Sequence, residues 1–108
     1  MKTQKRILTG DRPTGRLHLG HYVGTLKNRI NLQNEYDTFI ILADLHTLTT
    51  KPEKEAIQKI ESNVRELMLD YISVGLDPKK VVFYRQSQIP EVAYLYLLFS
   101  MLVTKPRL

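Results

Sequence analysis

No cysteine occurs in the 108 residues, which excludes a disulfide framework, a thiolate metal site and a cysteine nucleophile together. Long hydrophobic runs are missing too. The opening MKTQKRILTG has no apolar stretch of signal-peptide length, and the most apolar run, Tyr94 to Val103, is about half of a membrane span. No internal repeat or low-complexity segment is evident, and a cytoplasmic location is the expectation. What is present is ordinary for one globular domain: 43% hydrophobic and 25% charged residues. A domain of this length can bury roughly two thirds of its unfolded surface, enough for a real core.

The net charge of +5 is unevenly placed. Residues 1–35 carry Lys2, Lys5, Arg6, Arg12, Arg16, Lys27 and Arg29 against only Asp11 and Glu35, so that segment accounts for the whole excess. An anionic partner is expected to meet it. For Arg16, Lys27 and Arg29 taken singly, a solvated surface position is the stronger expectation.

Arg6-Ile7-Leu8-Thr9 reads as a strand running into the turn-rich Gly10-Asp11-Arg12-Pro13-Thr14-Gly15. Leu19, Val23, Leu26 and Ile30 then recur on one face of a helix beginning near Gly20, and that face is expected to pack on a sheet. Asp37 to Ala43 reads as a central parallel strand buried on both sides. Thr50-Lys51-Pro52-Glu53 fits a capping box before a long helix whose apolar face is Ile57, Ile60, Val64, Leu67, Met68 and Tyr71, closed by Gly75. Val81 to Tyr84 reads as a third buried strand, and Pro90 opens a last helix with Val92, Leu95, Phe99 and Leu102. The order strand, helix, three times over, predicts an α/β fold of three βα units: the first half of a Rossmann-like doubly wound parallel sheet with right-handed crossovers. Because the apolar ending Ser100 to Leu108 leaves no further strand to complete the sheet, the chain is expected to be truncated. A compact three-layer domain is the alternative.

Ligands of such folds bind at the carboxyl ends of the strands. There, His18-Leu19-Gly20-His21 places two imidazoles and a glycine at a helix start, just after a glycine-rich loop. Unpaired N–H groups and the positive dipole end stabilise phosphate at such a start. Histidines can hydrogen-bond developing phosphate charge, and Gly20 leaves room for a flat base. The pattern describes a nucleotide site. A metal site from His18, His21, Asp44 and His46 is the competing reading, with the loop-and-helix context favouring phosphate.

His18-Leu19-Gly20-His21 resembles the "HIGH" motif of class I aminoacyl-tRNA synthetases and related nucleotidyl transferases. The stretch Leu8 to Gly24 is similar to the start of bacterial tryptophanyl-tRNA synthetases, and the similarity continues through Ile41 to Thr49, Val74 to Pro78 and Gln86 to Pro90. It covers the whole chain in four ordered blocks. The resemblance implies an enzyme that joins tryptophan to ATP, with Mg²⁺, to form tryptophanyl-adenylate and pyrophosphate, then transfers the aminoacyl group to tRNA(Trp). It implies that Arg12, Pro13 and Thr14 line the ATP phosphates and ribose, that Gly20 lies under the adenine, and that His18 and His21 stabilise phosphate charge. Leu8, Gly10, Ala43 and His46 correspond to the wall of the amino-acid pocket, with Asp44 beside it; Leu8 stands where many relatives carry an aromatic residue.

Residues 1–108 then correspond to the N-terminal part of the catalytic domain. The lysine-rich "KMSKS" loop, the aspartate that reads the indole N–H and the anticodon-binding domain lie outside them. Such a fragment is expected to have feeble activity or none, and the full-length protein to be a homodimer. Other readings stay open: a tyrosyl-tRNA synthetase or another HxGH nucleotidyl transferase, or a non-catalytic nucleotide- or tRNA-binding module. His46 alone is also read as a hydrogen-bonded structural histidine, and Asp44 as the cap of the following turn.

Overall fold

A computed structural model describes residues 5–103. Three strands, β1 (Arg6–Asp11), β2 (Asp37–Leu42) and β3 (Val81–Arg85), form one all-parallel sheet in the order β1-β2-β3. All three were legible as short apolar runs, and β2 is central as expected. Helical segments α1 (Leu19–His21), a π-helical turn (Tyr22–Leu26) and α2 (Lys27–Leu32) link β1 to β2. Between β2 and β3 run α3 (Asp44–Thr47), α4 (Lys54–Gln58) and α5 (Ile60–Val74). A 3₁₀ turn (Gln86–Gln88) and α6 (Pro90–Leu102) follow β3. The Lys2 and Thr104 to Leu108 positions discussed above lie outside the described residues.

Register decides which strand residues share a face, because side chains alternate and paired residues of neighbouring parallel strands point the same way. Thr9 pairs with Ile40 and Asp11 with Leu42; Ile40 in turn pairs with Phe83. That face is packed: Leu26, Ile40, Leu42, Leu67, Tyr71, Leu76 and Val81 form one buried cluster, with Ile30, Val64 and Met68 against it. The first crossover and α5 therefore cover the same side of the sheet. Gln33 ties them together, its amide donating to the Ile30 and Gly75 carbonyls and accepting from the Asp77 N–H.

The opposite face carries Leu8, Gly10, Phe39, Ile41, Val82 and Tyr84, and it is open. Leu8 is 67% exposed and Val82 51%. The expectation that β2 is buried on both sides is thus corrected to one side, and β3, expected to be buried, is covered on that same side alone; an all-apolar strand reads the same whether one layer or two covers it. Three helix expectations are corrected as well. Leu19 and Val23 are exposed, leaving Leu26 and Ile30 to anchor the first helix. Thr50 and Glu53 form no capping box: the Thr50 hydroxyl contacts the Thr47 carbonyl and accepts from Arg12, and Glu53 is itself the residue before α4, with no side-chain cap. The expected long helix divides at Lys59, and Ile57 is exposed. Gly75 does close α5 in the left-handed region (φ 113°), and Pro90 opens α6. That last helix is exposed along its length.

Candidate nucleotide and amino-acid site

Two adjoining clefts open at the carboxyl ends of the strands. The larger, about 430 Å³, is lined by Gly10, Asp11, Arg12, Ile41, Ala43, His46 and Gln86. A smaller one, about 160 Å³, lies between Asp11, Arg12 and the loop from Thr14 to Leu17, with His21 closing it. Asp11 and Arg12 border both. Gly10 is required where it stands: a Cβ would come within 2.1 Å of the Ile41 carbonyl oxygen, so only glycine lets the strands pair while leaving the cleft floor flat.

The loop between β1 and α1 is pinned to α5 at two points. The Leu17 N–H donates to Asp70 at 2.9 Å, and exposed Arg16 pairs with Glu66. Pro13 is buried beneath it, and the Arg12 guanidinium donates to the Thr50 hydroxyl. At the helix start the two histidines form a reciprocal cap. The Gly20 N–H donates to His18 Nδ1 at 3.1 Å, and the His18 N–H donates to His21 Nδ1 at 3.3 Å. Their ring centroids are 4.0 Å apart. An Nδ1 that accepts leaves the neutral ring's proton on Nε2, so each ring keeps an Nε2–H donor free of the cap, and His21 borders the smaller cleft. A Cβ on Gly20 would meet the His18 ring at 2.9 Å; the glycine thus serves the cap, a constraint closer to hand than room for a base.

Behind the clefts lies a buried charge cluster. Asp11 projects from the packed face, where Arg29 of α2 donates to both its oxygens, at 2.6 and 3.4 Å, and the Tyr71 hydroxyl of α5 donates to Oδ2. Burial pushes the Asp11 carboxyl up, but the Arg29 guanidinium and the Tyr71 hydroxyl outweigh it and hold it below the ordinary carboxylate range. Burial and the Asp11 charge push the Tyr71 phenol up, so it stays a donor. Arg29 is only 7% exposed, which corrects its expected surface position. It sits on the helix face that also carries Leu26, Ile30 and Gln33, and a lone arginine within an apolar stripe was the available signal.

Asp44 is the counterpart on the other side. It is 3% exposed and accepts from the Leu45 N–H, from the N–H and hydroxyl of Ser87, and from Arg85, which also reaches Glu61. Burial raises this carboxyl too, and the Ser87 and Arg85 bonds bring it below its usual range. Its acceptor capacity is occupied within the protein, joining the end of β2 to the turn after β3. Of the sequence-derived residues, the fold therefore gathers Gly10, Arg12, Ala43 and His46 around the larger cleft and Arg12, Thr14 and His21 around the smaller, with His18 and Gly20 completing the cap. Leu8 stands apart on the open face with Phe39, Val82 and Tyr84. Among the described residues, no three His, Cys, Asp or Glu side chains gather as ion ligands.

The family described as tRNA synthetases class I (W and Y) matches residues 1–108. The chain belongs to that family. It is 60% identical over 105 residues to the tryptophan–tRNA ligase of Borreliella burgdorferi, covering 97% of this chain and 30% of the relative. The tryptophanyl-tRNA synthetase of Campylobacter jejuni complexed with ADP and tryptophan superposes with a TM-score of 0.81 at 34% identity, over 92% of this chain and 30% of that one. The tyrosyl-tRNA synthetase of Archaeoglobus fulgidus complexed with L-tyrosine gives 0.75 at 26%, over 90% and 30%. The chain thus spans about 30% of the length of the relatives it matches, and the Rossmann-like architecture of this class I synthetase family is the one its parallel sheet shows.

Proposed function

We propose that residues 1–108 are the N-terminal part of the catalytic domain of a tryptophan–tRNA ligase and supply the HxGH half of its ATP site. The observation that carries this is the reciprocal cap of His18 and His21 beside two clefts at the strand ends, in a chain 60% identical to a tryptophan–tRNA ligase. ATP enters with Mg²⁺ as its counterion, its phosphates near Arg12, Pro13, Thr14 and the helix start and its adenine over Gly20. Tryptophan occupies the larger cleft against Gly10, Ala43 and His46. Leu8, which lines the neighbouring groove of the open face, extends the pocket wall in this reading, and Asp44 supports it from behind.

A tryptophan carboxylate oxygen attacks the α-phosphorus, forming the acyl phosphate bond while the bond to the pyrophosphate oxygen breaks. Charge grows on the α-phosphate oxygens, and in this reading the Nε2–H groups of His18 and His21 donate to it. The chain itself contributes positioning and electrostatics rather than a covalent intermediate. The adenylate then transfers its aminoacyl group to tRNA(Trp). Exposed Leu95, Tyr96, Leu97, Leu98, Phe99, Met101 and Leu102 on α6 suit a homodimer contact in the full-length protein, which we place in the cytoplasm; a strict monomer in sedimentation at micromolar concentration contradicts that assembly.

Amino-acid-dependent ATP–pyrophosphate exchange tests the reading on the protein carrying this chain with the rest of its catalytic domain. Exchange with tryptophan and not tyrosine is expected. Exchange with tyrosine alone transfers the assignment to the other branch of the family, and no exchange with either leaves a nucleotide- or tRNA-binding module. In the active protein, His21→Ala is expected to slow adenylate formation roughly 10- to 1000-fold, as loss of a preorganised donor does.

A further inference from the structure

His46 and Gln86 are joined by two hydrogen bonds whose direction follows from chemistry. The His46 backbone N–H can only donate, and it donates to Gln86 Oε1 at 3.2 Å. This fixes which end of the amide is oxygen. The other end, Nε2, lies 3.2 Å from His46 Nδ1 and can only donate, so Nδ1 is the acceptor and the neutral ring carries its proton on Nε2. Gln86 is held in turn: its neighbours Arg85 and Ser87 are both tied to buried Asp44. Both His46 and Gln86 line the larger cleft; Gln86 opens the last of the four resembling blocks, but the sequence pattern assigned it no role of its own.

We propose that Gln86 is a positioning residue that fixes the hydrogen-bond polarity of His46, so that the cleft presents an Nε2–H donor to an acidic oxygen of the bound ligand. The inference rests on the reading of the cleft given above. Two acidic oxygens meet there, the amino-acid carboxylate and the nucleotide α-phosphate, and the chemistry that recognises them is the same.

Two substitutions separate polarity from mere support. Gln86→Met keeps the length but removes both bonds. Gln86→Glu keeps the acceptor for the His46 N–H; in alkaline buffer, where imidazole is neutral, its carboxylate draws the proton to Nδ1 and leaves Nε2 bare. If Gln86 only supported the loop, the Glu variant would be the milder. On our proposal it is the more damaging, raising one substrate's KM about tenfold or more, with kcat within about twofold, while the Met variant raises it about threefold. A rise confined to tryptophan assigns the carboxylate; one confined to ATP assigns the phosphate. Equal KM values in wild type and the Glu variant overturn the proposal.

A second readout needs no activity. In protein labelled with ¹⁵N-histidine, with His46 assigned by its loss in His46→Gln, the ligand-free wild type is expected to show protonated Nε2 and bare Nδ1, and Gln86→Glu the reverse. The same tautomer in both overturns the proposal. Should the wild type lack tryptophan-dependent exchange, the functional reading fails by itself, and the ¹⁵N spectra still decide the polarity. His46→Gln places an amide N–H₂ where Nε2 was, so adding Gln86→Glu to it is expected to cost no more than twofold.

Discussion

The two faces of the sheet differ more than their sequences do. Thr38, Ile40 and Leu42 alternate with Phe39 and Ile41 along one apolar strand, yet the first set is 0–3% exposed while the second borders open grooves. The packed face is where the chain is fixed, and the open face, at its carboxyl end, is where the candidate site lies. One strand therefore does both jobs through its pleat: Asp11 turns inward to Arg29 and Tyr71, and the adjacent Gly10 turns outward to floor the cleft. Proposed ligand residues are held by groups on the far side of the sheet.

The largest expected effect comes from breaking the packed face at its charge. Arg29→Met leaves the Asp11 carboxylate without its cation in a partly buried site, and a loss of about 4 kcal/mol is expected in urea denaturation. Leu67→Ala on α5 empties a fully buried position and is expected to cost about 3 kcal/mol through lost transfer energy and a cavity. If either change costs under 1 kcal/mol, the two faces are not as unequal as their burial implies.

A smaller effect concerns pH. Asp11 and Asp44 are both held below the ordinary carboxylate range, so each favours the folded state fully only above the unfolded value of about 3.9. The stabilisation is lost as pH falls from about 4 through the lower folded values. Relative to wild type, Arg29→Met is expected to flatten the Asp11 share of this acid loss and leave the Asp44 share. An unchanged acid limb in that variant would separate Asp11 from its partner.

How much of this was legible follows the same division. Strands came through because β-branched apolar runs between turn residues have few other uses, and Gly75 and Pro90 marked helix ends by backbone constraints that act locally. The capping box at Thr50 failed because a tertiary partner, Arg12, engages the hydroxyl, which no local pattern reports. The HxGH residues were legible as a motif, but not that Nδ1 of each is used for the cap. Asp11, Arg29 and Tyr71 come from positions 11, 29 and 71, and only the closed fold brings such separated groups together. Gln86 escaped for the same reason, since its significance is its distance from His46.

The smallest effect is expected on the open face, and it is the sharpest test of the comparison. Leu8 is 67% exposed, so in the 108-residue chain Leu8→Ser is expected to change stability by no more than about 0.5 kcal/mol. The same substitution in the longer protein distinguishes two situations. A cost again near zero means that the face stays open to solvent or ligand beside the cleft. A cost of about 2 kcal/mol, the worth of a buried leucine side chain, means that additional residues cover it, and then the apolar character of Leu8, Phe39, Val82 and Tyr84 is core packing rather than part of the amino-acid pocket. Tryptophan KM measured on that same variant divides these roles further. Lost stability with unchanged KM assigns Leu8 to packing, and raised KM with unchanged stability assigns it to the ligand.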